Sequence, residues 1–307
     1  MIQAPDRSKE SEKWLSDCQL CPRACHVDRM RGERGFCGEG ARVRCARAAL
    51  HLWEEPVLSG TCGSGAVFFS GCGLKCVFCQ NAQISLEGAG WEVSPERLPE
   101  IFLELQERGA HNIDLITGAS FLPQIREALL AARDRGLTLP VAYNSGGYES
   151  PEALRLLEGL VQIYLPDVKY FSPELSAGCS HAPDYFERAM AALEEMFRQV
   201  GEPVLSKEGI LQRGMVVRHL VLPGQTKDSK KVLRSLYETY GDRIYISILN
   251  QYTPMPGVTG DLARRVTQDE YDRVVTFARR LGISRGFVQE ETSADEAFIP
   301  AFDGTGL

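Results

Sequence analysis

The chain has 307 residues, enough for one large α/β domain with an appended module or for two ordinary domains. Its 44% hydrophobic and 24% charged residues are typical of a soluble globular protein, and its formal net charge of −7 argues against non-specific nucleic-acid binding. The segment from Met1 to Glu10 is polar and lacks the apolar core of a secretory leader, and no apolar run approaches membrane-spanning length. We therefore expect a cytoplasmic protein with no nucleic-acid and no membrane partner.

Cysteine is the unusual component of this composition. All ten cysteines except Cys179 lie between Cys18 and Cys79. In a reducing compartment, clustered thiols more often bind metal or carry out redox chemistry than form disulfides. The sequence therefore predicts metal chemistry in the N-terminal part of the chain.

Residues 1–60 are rich in Cys, Arg and Gly and show little periodicity, so they are predicted to form a loop-rich cysteine module that needs a metal to hold it together. Cys18, Cys21, Cys25 and Cys37 supply four thiols to this module. Four thiolates suit either a closed structural Zn²⁺ site or a second, auxiliary [4Fe–4S] cluster. Thiols without metal are the third alternative.

The other cysteines outside the two motifs are interpreted differently. Cys45 is a candidate to replace one of the four thiolates. Cys62 and Cys179 stand apart from the motifs, and we expect both to be small buried hydrophobic residues.

From about residue 66 onward the chain alternates apolar runs with helical patterns. Near-continuous apolar runs are typical of strands buried on both faces of a parallel sheet. Seven strands are predicted, at 66–70, 112–117, 139–144, 161–166, 215–222, 244–249 and 286–289. The last helix should begin with a capping box at Thr267 and end at Gly282. Roughly six β–α units are too few for a closed eight-fold barrel, so residues 61–307 are predicted to form an open, partial (β/α)6 TIM-like barrel of the α/β class.

Cys72, Cys76 and Cys79 form a C-x3-C-x2-C motif in the glycine-bearing loop after the first predicted strand. Three thiolates suit an iron–sulfur cluster whose usual four-cysteine coordination is one ligand short. The iron without a protein ligand can then bind the amino and carboxylate groups of S-adenosylmethionine (SAM), as the open position of a catalytic zinc binds its substrate. A Zn²⁺ site, a redox thiol pair and a chance cluster are the alternatives. The position after a strand, with Phe78 directly before the last cysteine, favours the iron–sulfur cluster.

Several polar residues are predicted at the carboxyl ends of later strands, where functional residues gather in α/β barrels. Asn144 precedes small residues that let the backbone approach a ligand. Asp167 and Lys169 end the fourth strand, and Arg218 lies in the fifth, where a guanidinium suits bidentate pairing with a carboxylate. An ordinary surface ion pair and a structural cation are the alternative interpretations.

With these motifs the chain resembles the radical SAM superfamily and, within it, the branch related to pyruvate formate-lyase activating enzymes. A less characterised subgroup of that branch carries the same C-x-L-C-P-R-x-C N-terminus, which begins here at Cys18. The resemblance implies that Asp167, Lys169 and Arg218 contact SAM. It also implies a [4Fe–4S] cluster, reductive cleavage of SAM to a 5′-deoxyadenosyl radical, and an electron donor such as flavodoxin or ferredoxin.

The sequence departs from the family pattern after the second strand, where activating enzymes usually carry Gly-Gly-Glu. Here the stretch is Thr117-Gly118-Ala119-Ser120, which lacks the carboxylate. Backbone contacts to SAM can persist, and a hydroxyl can act as acceptor, so Thr117 and Gly118 remain candidate SAM-binding residues.

Three functions are consistent with the sequence. The first is an activase that abstracts hydrogen from a glycine Cα of a partner glycyl radical enzyme. The second is a radical SAM enzyme that acts on a small molecule. The third is a non-catalytic metal-binding or electron-transfer protein, and the polar residues at the strand ends argue against it.

Overall fold

The computed structural model describes residues 7–289 and 300–307, so the first six residues of the polar N-terminal segment lie outside the described residues. The described strands are β1 (Val43–His51), β2 (Ser64–Phe69), β3 (Trp91–Val93), β4 (Ile113–Ile116), β5 (Val141–Ser145), β6 (Ile163–Pro166), β7 (Val204–Leu205), β8 (Leu211–Leu220), β9 (Tyr245–Leu249) and β10 (Gly286–Val288). The described α-helices are α1 (Arg7–Ser16), α2 (Pro56–Ser59), α3 (Ala82–Ser85), α4 (Arg97–Glu107), α5 (Leu122–Asp134), α6 (Pro151–Leu154), α7 (Pro173–Ser180), α8 (Tyr185–Val200), α9 (Thr226–Tyr240) and α10 (Gln268–Leu281).

The centre of the fold is a parallel sheet in the order β2-β4-β5-β6-β8-β9-β10. Its members are the seven strands predicted from the apolar runs, and β8 begins earlier than predicted, at Leu211. Within the described residues no strand joins β10 to the opposite edge, so the sheet stays open. The predicted α/β class with an open, partial barrel is confirmed.

Three antiparallel strands were not predicted. The largest, β1, pairs with β2 and with β3 and extends the sheet at its N-terminal edge. Arg44 and Arg47 interrupt the apolar pattern of β1, which is why the sequence did not indicate a strand there. The loop-rich part of the predicted module is therefore the stretch 17–42, in which the described chain has only a single 3-10 turn at Arg29–Arg31.

The inside of the open barrel is apolar at its amino end. Helix α2 closes this end, because the carbonyl of Leu58 accepts a hydrogen bond of 3.0 Å from the side chain of Asn112, which directly precedes β4. Leu58 packs on a buried cluster that includes Ile163, Leu165 and Val216. This end of the barrel is thereby packed with apolar side chains, and Asn112 ties α2 to it.

The predicted helix ends agree with the structure. The hydroxyl of Thr267 and the carboxylate of Glu270 form the predicted capping box of α10, and Gly282 ends that helix in the left-handed region with φ 98°. Among the helices that the structure describes, none combines the length and the apolarity needed to span a bilayer.

Candidate metal centre and cofactor site

The first cysteine set lies where β2 ends. Cys72, Cys76 and Cys79 follow β2 at the carboxyl edge of the sheet, and their sulfurs are close neighbours. Burial, together with the nearby thiolates of Cys76 and Cys79, raises the pKa of the Cys72 thiol to about 12. A thiol of this kind keeps its proton at neutral pH unless a metal replaces it. The donor set therefore fits an iron–sulfur cluster with three protein ligands.

Each sulfur of this set accepts one hydrogen bond. The backbone N–H of Leu74 donates to Cys72 Sγ at 3.4 Å. The hydroxyl of Ser85 donates to Cys79 Sγ at 3.2 Å, and the hydroxyl of Ser180 donates to Cys76 Sγ at 2.9 Å. These donors fix the orientation of the thiols and remain available to thiolates, because sulfur accepts from them in either state.

The second cysteine set is also brought together. Burial, together with the charges of Cys37, Cys18 and Cys25, raises the pKa of Cys21 to about 12, so the four sulfurs lie close to one another. Over residues 7–289 and 300–307, no group of three or more His, Cys, Asp or Glu side chains meets the geometry of a single bound metal ion. The four sulfurs line one cavity together with Cys72.

The remaining cysteines require two corrections. Cys45 cannot replace one of the four, because it is fully buried in β1 and does not line the cavity that the four share. Cys62 is exposed and is not the buried hydrophobic residue that was expected. Cys179 is buried, as expected, and its carbonyl accepts the N–H of Val77 at 2.9 Å.

The polar residues predicted on later strands meet at the carboxyl edge. Arg218 donates to the side chain of Asn144 and to Glu54 at 2.8 Å, and its Nε lies 3.4 Å from Asp167. The ammonium of Lys169 lies 2.5 Å from the other oxygen of Asp167. Burial alone would raise the pKa of Asp167, but the cations of Lys169 and Arg218 outweigh burial and lower it. The carboxylate of Asp167 therefore stays ionised between two cations.

Glu54 is the member of this network that the sequence did not reveal. It precedes α2 and reaches the guanidinium from the amino end of the barrel, 164 residues away along the chain. Asp114 lies in the same network, accepts from Asn144 at 3.3 Å, and has a pKa raised well above its ordinary value by burial. Arg218 is thus already surrounded by carboxyl groups of the protein itself.

Thr117 and Gly118 follow β4 and have different environments. Thr117 adopts φ 62° and lines the cavity next to Cys72, whereas Gly118 packs under the loop, where an added Cβ would lie 2.6 Å from Ile125. Arg29 of the N-terminal module donates to the carbonyl of Ser120 at 2.6 Å. The module therefore holds the loop that lacks the family carboxylate.

A carboxyl group that the sequence did not indicate lines the same cavity. Glu149 is 2% exposed and accepts a hydrogen bond of 3.1 Å from Ser145 at the end of β5. Burial raises the pKa of Glu149 to about 7. It follows the small residues that close β5, but one glutamate in a loop carries no spacing signal of its own.

Comparison with known proteins agrees with this geometry. The profile of the radical SAM superfamily matches residues 66–236, more than half of the chain. The chain therefore belongs to the radical SAM superfamily, which implies a [4Fe–4S] cluster and SAM as cosubstrate. Its members cleave SAM by a radical mechanism.

Among individual proteins, the chain is similar to "Uncharacterized protein MJ0674" of Methanocaldococcus jannaschii, with 26% identity over 281 residues that cover 88% of this chain and 76% of the relative. Methylornithine synthase (PylB) is similar in structure, with a TM-score of 0.48 and 13% identity over 68% of this chain. The chain spans 59% of the length of PylB. The catalytic domain of the hyperthermophilic chitinase from Pyrococcus furiosus gives a TM-score of 0.35 and 15% identity, covering 62% of this chain and 68% of the chitinase domain.

The charge network at the carboxyl edge predicts a large effect of Arg218→Met on stability. The change leaves the carboxylate of Glu54, which is 8% exposed, and the half-buried carboxylate of Asp167 without their shared cation, and removal of one partner from such a group costs about 3 kcal/mol. Urea denaturation should show that loss, while the matched change Arg213→Met, at an exposed position of the same strand, should cost less than about 0.5 kcal/mol. Equal losses in the two variants would contradict the role given to the network.

Proposed function

We propose that Cys72, Cys76 and Cys79 hold the [4Fe–4S] cluster and that the protein uses it to cleave SAM for hydrogen abstraction from a substrate. The observation that carries the proposal is a group of three neighbouring thiols, Cys76 buried and the other two half-buried, at the carboxyl end of the first parallel strand. When bound, the cluster delivers one electron to SAM, which yields methionine and a 5′-deoxyadenosyl radical. A low-potential protein such as flavodoxin or ferredoxin is the proposed electron donor.

The SAM site, in this proposal, lies beside the cluster loop at the ends of β4, β5 and β6. Lys169 has a raised pKa because Asp167 and the nearby Cys76 outweigh the cost of burial, so its ammonium stays charged next to the cluster loop. Asp167 and Lys169 are therefore placed to bind polar groups of SAM, together with Asn144 and Thr117. Arg218 is bound by Glu54 and Asp167, which supports a role in orienting Asp167.

We further propose that Glu149 supplies the carboxylate that is missing after β4. Glu149 lines the same cavity as Thr117, Ala119 and Ser120, and Cys72 lines that cavity too. One carboxylate oxygen is held by Ser145. A buried carboxyl of this kind gains a partner when an ammonium group arrives, which is the charge complementarity that the amino group of SAM requires.

Two kinds of variant test the site by different readouts. Anaerobically reconstituted Cys72→Ala should bind about four fewer iron atoms per chain than the unmodified protein and form no 5′-deoxyadenosine above background when reduced with SAM, because a required ligand of this cluster is gone. Asp167→Asn and Glu149→Gln should keep the cluster and bind SAM about tenfold more weakly by calorimetry, because each loses one charge-assisted contact.

The matched controls are Cys62→Ala and Asp134→Asn, which alter an exposed cysteine and an exposed aspartate outside the site. Both should behave as the unmodified protein in cluster content, SAM affinity and SAM cleavage. Formation of 5′-deoxyadenosine by Cys72→Ala at the normal rate would contradict the assignment of Cys72, Cys76 and Cys79 as the cluster ligands.

For the N-terminal set we propose an auxiliary [4Fe–4S] cluster on Cys18, Cys21, Cys25 and Cys37. A single Zn²⁺ draws four thiolates to about 2.3 Å. Here the four cysteines line a cavity that they share with Cys72, and within the described residues they do not meet the geometry of a single bound ion. A spacing wider than one ion requires supports the larger cubane.

Metal analysis of a Cys18→Ala/Cys21→Ala variant decides between the two metals. With an auxiliary cluster, the variant should contain about four fewer iron atoms per chain than the unmodified protein, because a cubane holds four irons. The zinc content should not change. Loss of one zinc with constant iron would instead identify a structural zinc site.

The substrate is the remaining part of the proposal. The resemblance to activating enzymes suggests a glycyl radical enzyme, whose backbone would have to reach the cluster loop. That loop is flanked by the N-terminal module through Gly73, by α7 through Val77, and by the segment after β9, where Gln80 donates to the carbonyl of Gln251 at 2.6 Å. Enclosure from three sides favours a small molecule as substrate.

The origin of the abstracted hydrogen distinguishes the two substrates. With a small-molecule substrate, a protein-free extract of cells grown in D₂O should place deuterium in 5′-deoxyadenosine, and an extract from unlabelled cells is the control. An electron paramagnetic resonance (EPR) signal of a glycyl radical on an added glycyl radical enzyme, with no label from the extract, would favour the activase.

A further inference from the structure

We propose that Ser180 and Arg23 are positioning residues that raise the reduction potential of the cluster held by Cys72, Cys76 and Cys79, and that through Arg23 the N-terminal cysteine set influences that potential. The inference rests on the proposed function of the first set. Its basis is a pair of hydrogen bonds that meet at Ser180. Arg23, in the loop between Cys21 and Cys25, donates to the carbonyl of Ser180, and the hydroxyl of Ser180 donates to the sulfur of Cys76.

Ser180 is placed to give its only hydrogen to the sulfur. It is the last residue of α7, is fully buried, and lies 2.9 Å from Cys76 Sγ. The hydroxyl of Tyr170 lies 2.7 Å from Ser180 Oγ and, as the donor of that pair, leaves the serine hydrogen free for the sulfur. Hydrogen bonds to cluster sulfurs withdraw negative charge from them and so favour the reduced state.

Arg23 fixes the backbone that carries this serine. Its guanidinium donates to the carbonyl of Ser180 at 2.9 Å and to that of His181 at 2.5 Å, and so caps the end of α7. Its Nε donates to the carbonyl of Gly73, next to Cys72, also at 2.9 Å. One side chain therefore holds the serine donor and the cluster loop in a common arrangement.

The position of Arg23 in the chain connects the two cysteine sets. It lies in the loop between Cys21 and Cys25, and its guanidinium stacks 4.1 Å from the ring centre of Phe36, next to Cys37. A metal bound to the four thiolates would hold this loop in place, whereas its loss would release the arginine. The N-terminal cysteine set thereby influences the reduction potential of the first cluster, in addition to binding its own metal.

The test is an EPR titration of the reconstituted protein, in which a mediator held at a fixed potential passes one electron to the cluster held by Cys72, Cys76 and Cys79. This cluster is followed by the signal that Cys72→Ala lacks. Ser180→Ala should lower the ratio of reduced to oxidised cluster about tenfold, which corresponds to ~59 mV for a one-electron couple. Ser180→Thr, which keeps the hydroxyl, should restore most of the ratio. Arg23→Gln and the Cys18→Ala/Cys21→Ala variant should shift it in the same direction.

Ser176→Ala is the matched control. This serine is buried in the same helix, but its hydroxyl donates to the carbonyl of Pro173 at 3.1 Å and not to a sulfur. The inference is overturned when Ser180→Ala and Ser176→Ala give equal ratios, and its regulatory part when Arg23→Gln leaves the ratio unchanged. Absence of any reduced-cluster signal in the unmodified protein would instead contradict the proposed function.

Discussion

The guanidinium of Arg218 lies buried between the carboxylates of Glu54 and Asp167 and the amide of Asn144, and so joins three parts of the chain at the carboxyl edge of the sheet. Charges in such a place are tolerated only when each has partners, since an unpaired buried charge costs several kcal/mol. The network therefore fixes where β5, β6 and β8 end relative to one another. It also keeps Asp167 ionised, which is the state that a cationic cofactor requires.

The two cysteine sets depend on burial in a similar way. The same removal from water that raises the pKa of Cys72 and Cys21 makes their thiolates unstable without a cation. Metal bound at either set, as proposed, would therefore stabilise the packing of the surrounding loops and be stabilised by it. The arginines of the N-terminal module contribute to that packing by binding backbone carbonyls, so their charge is matched by dipoles instead of by acidic side chains.

The parallel sheet and the close approach of Cys72, Cys76 and Cys79 were predictable from sequence, because both are local patterns. Strands buried on two faces give continuous apolar runs, and three cysteines within eight residues cannot be far apart. Strand β1 was missed because paired arginine side chains interrupt its pattern. Glu54, Ser180 and Arg23 were missed for another reason: their partners are between 50 and 164 residues away, and one residue of a common type carries no spacing signal.

The residues proposed to bind SAM illustrate an intermediate case. Strand order placed Asn144, Asp167, Lys169 and Arg218 at one edge, and the structure brings them into contact. The sequence could not indicate that Arg218 already has an internal carboxylate partner. Nor could it indicate that a buried glutamate after β5 lines the cavity near the loop where the family carboxylate is absent.

The long reach of Arg23 has a consequence for how the protein is made. Its guanidinium binds the carbonyls of Ser180 and His181, which are synthesised more than 150 residues later. During synthesis the four N-terminal cysteines therefore leave the ribosome long before the carbonyls that hold Arg23 exist, and chains emerge at roughly 5–20 residues per second. For roughly 8–30 s these thiols face the surrounding solution without that contact, so metal delivered to them in this interval would need no opening of the finished fold.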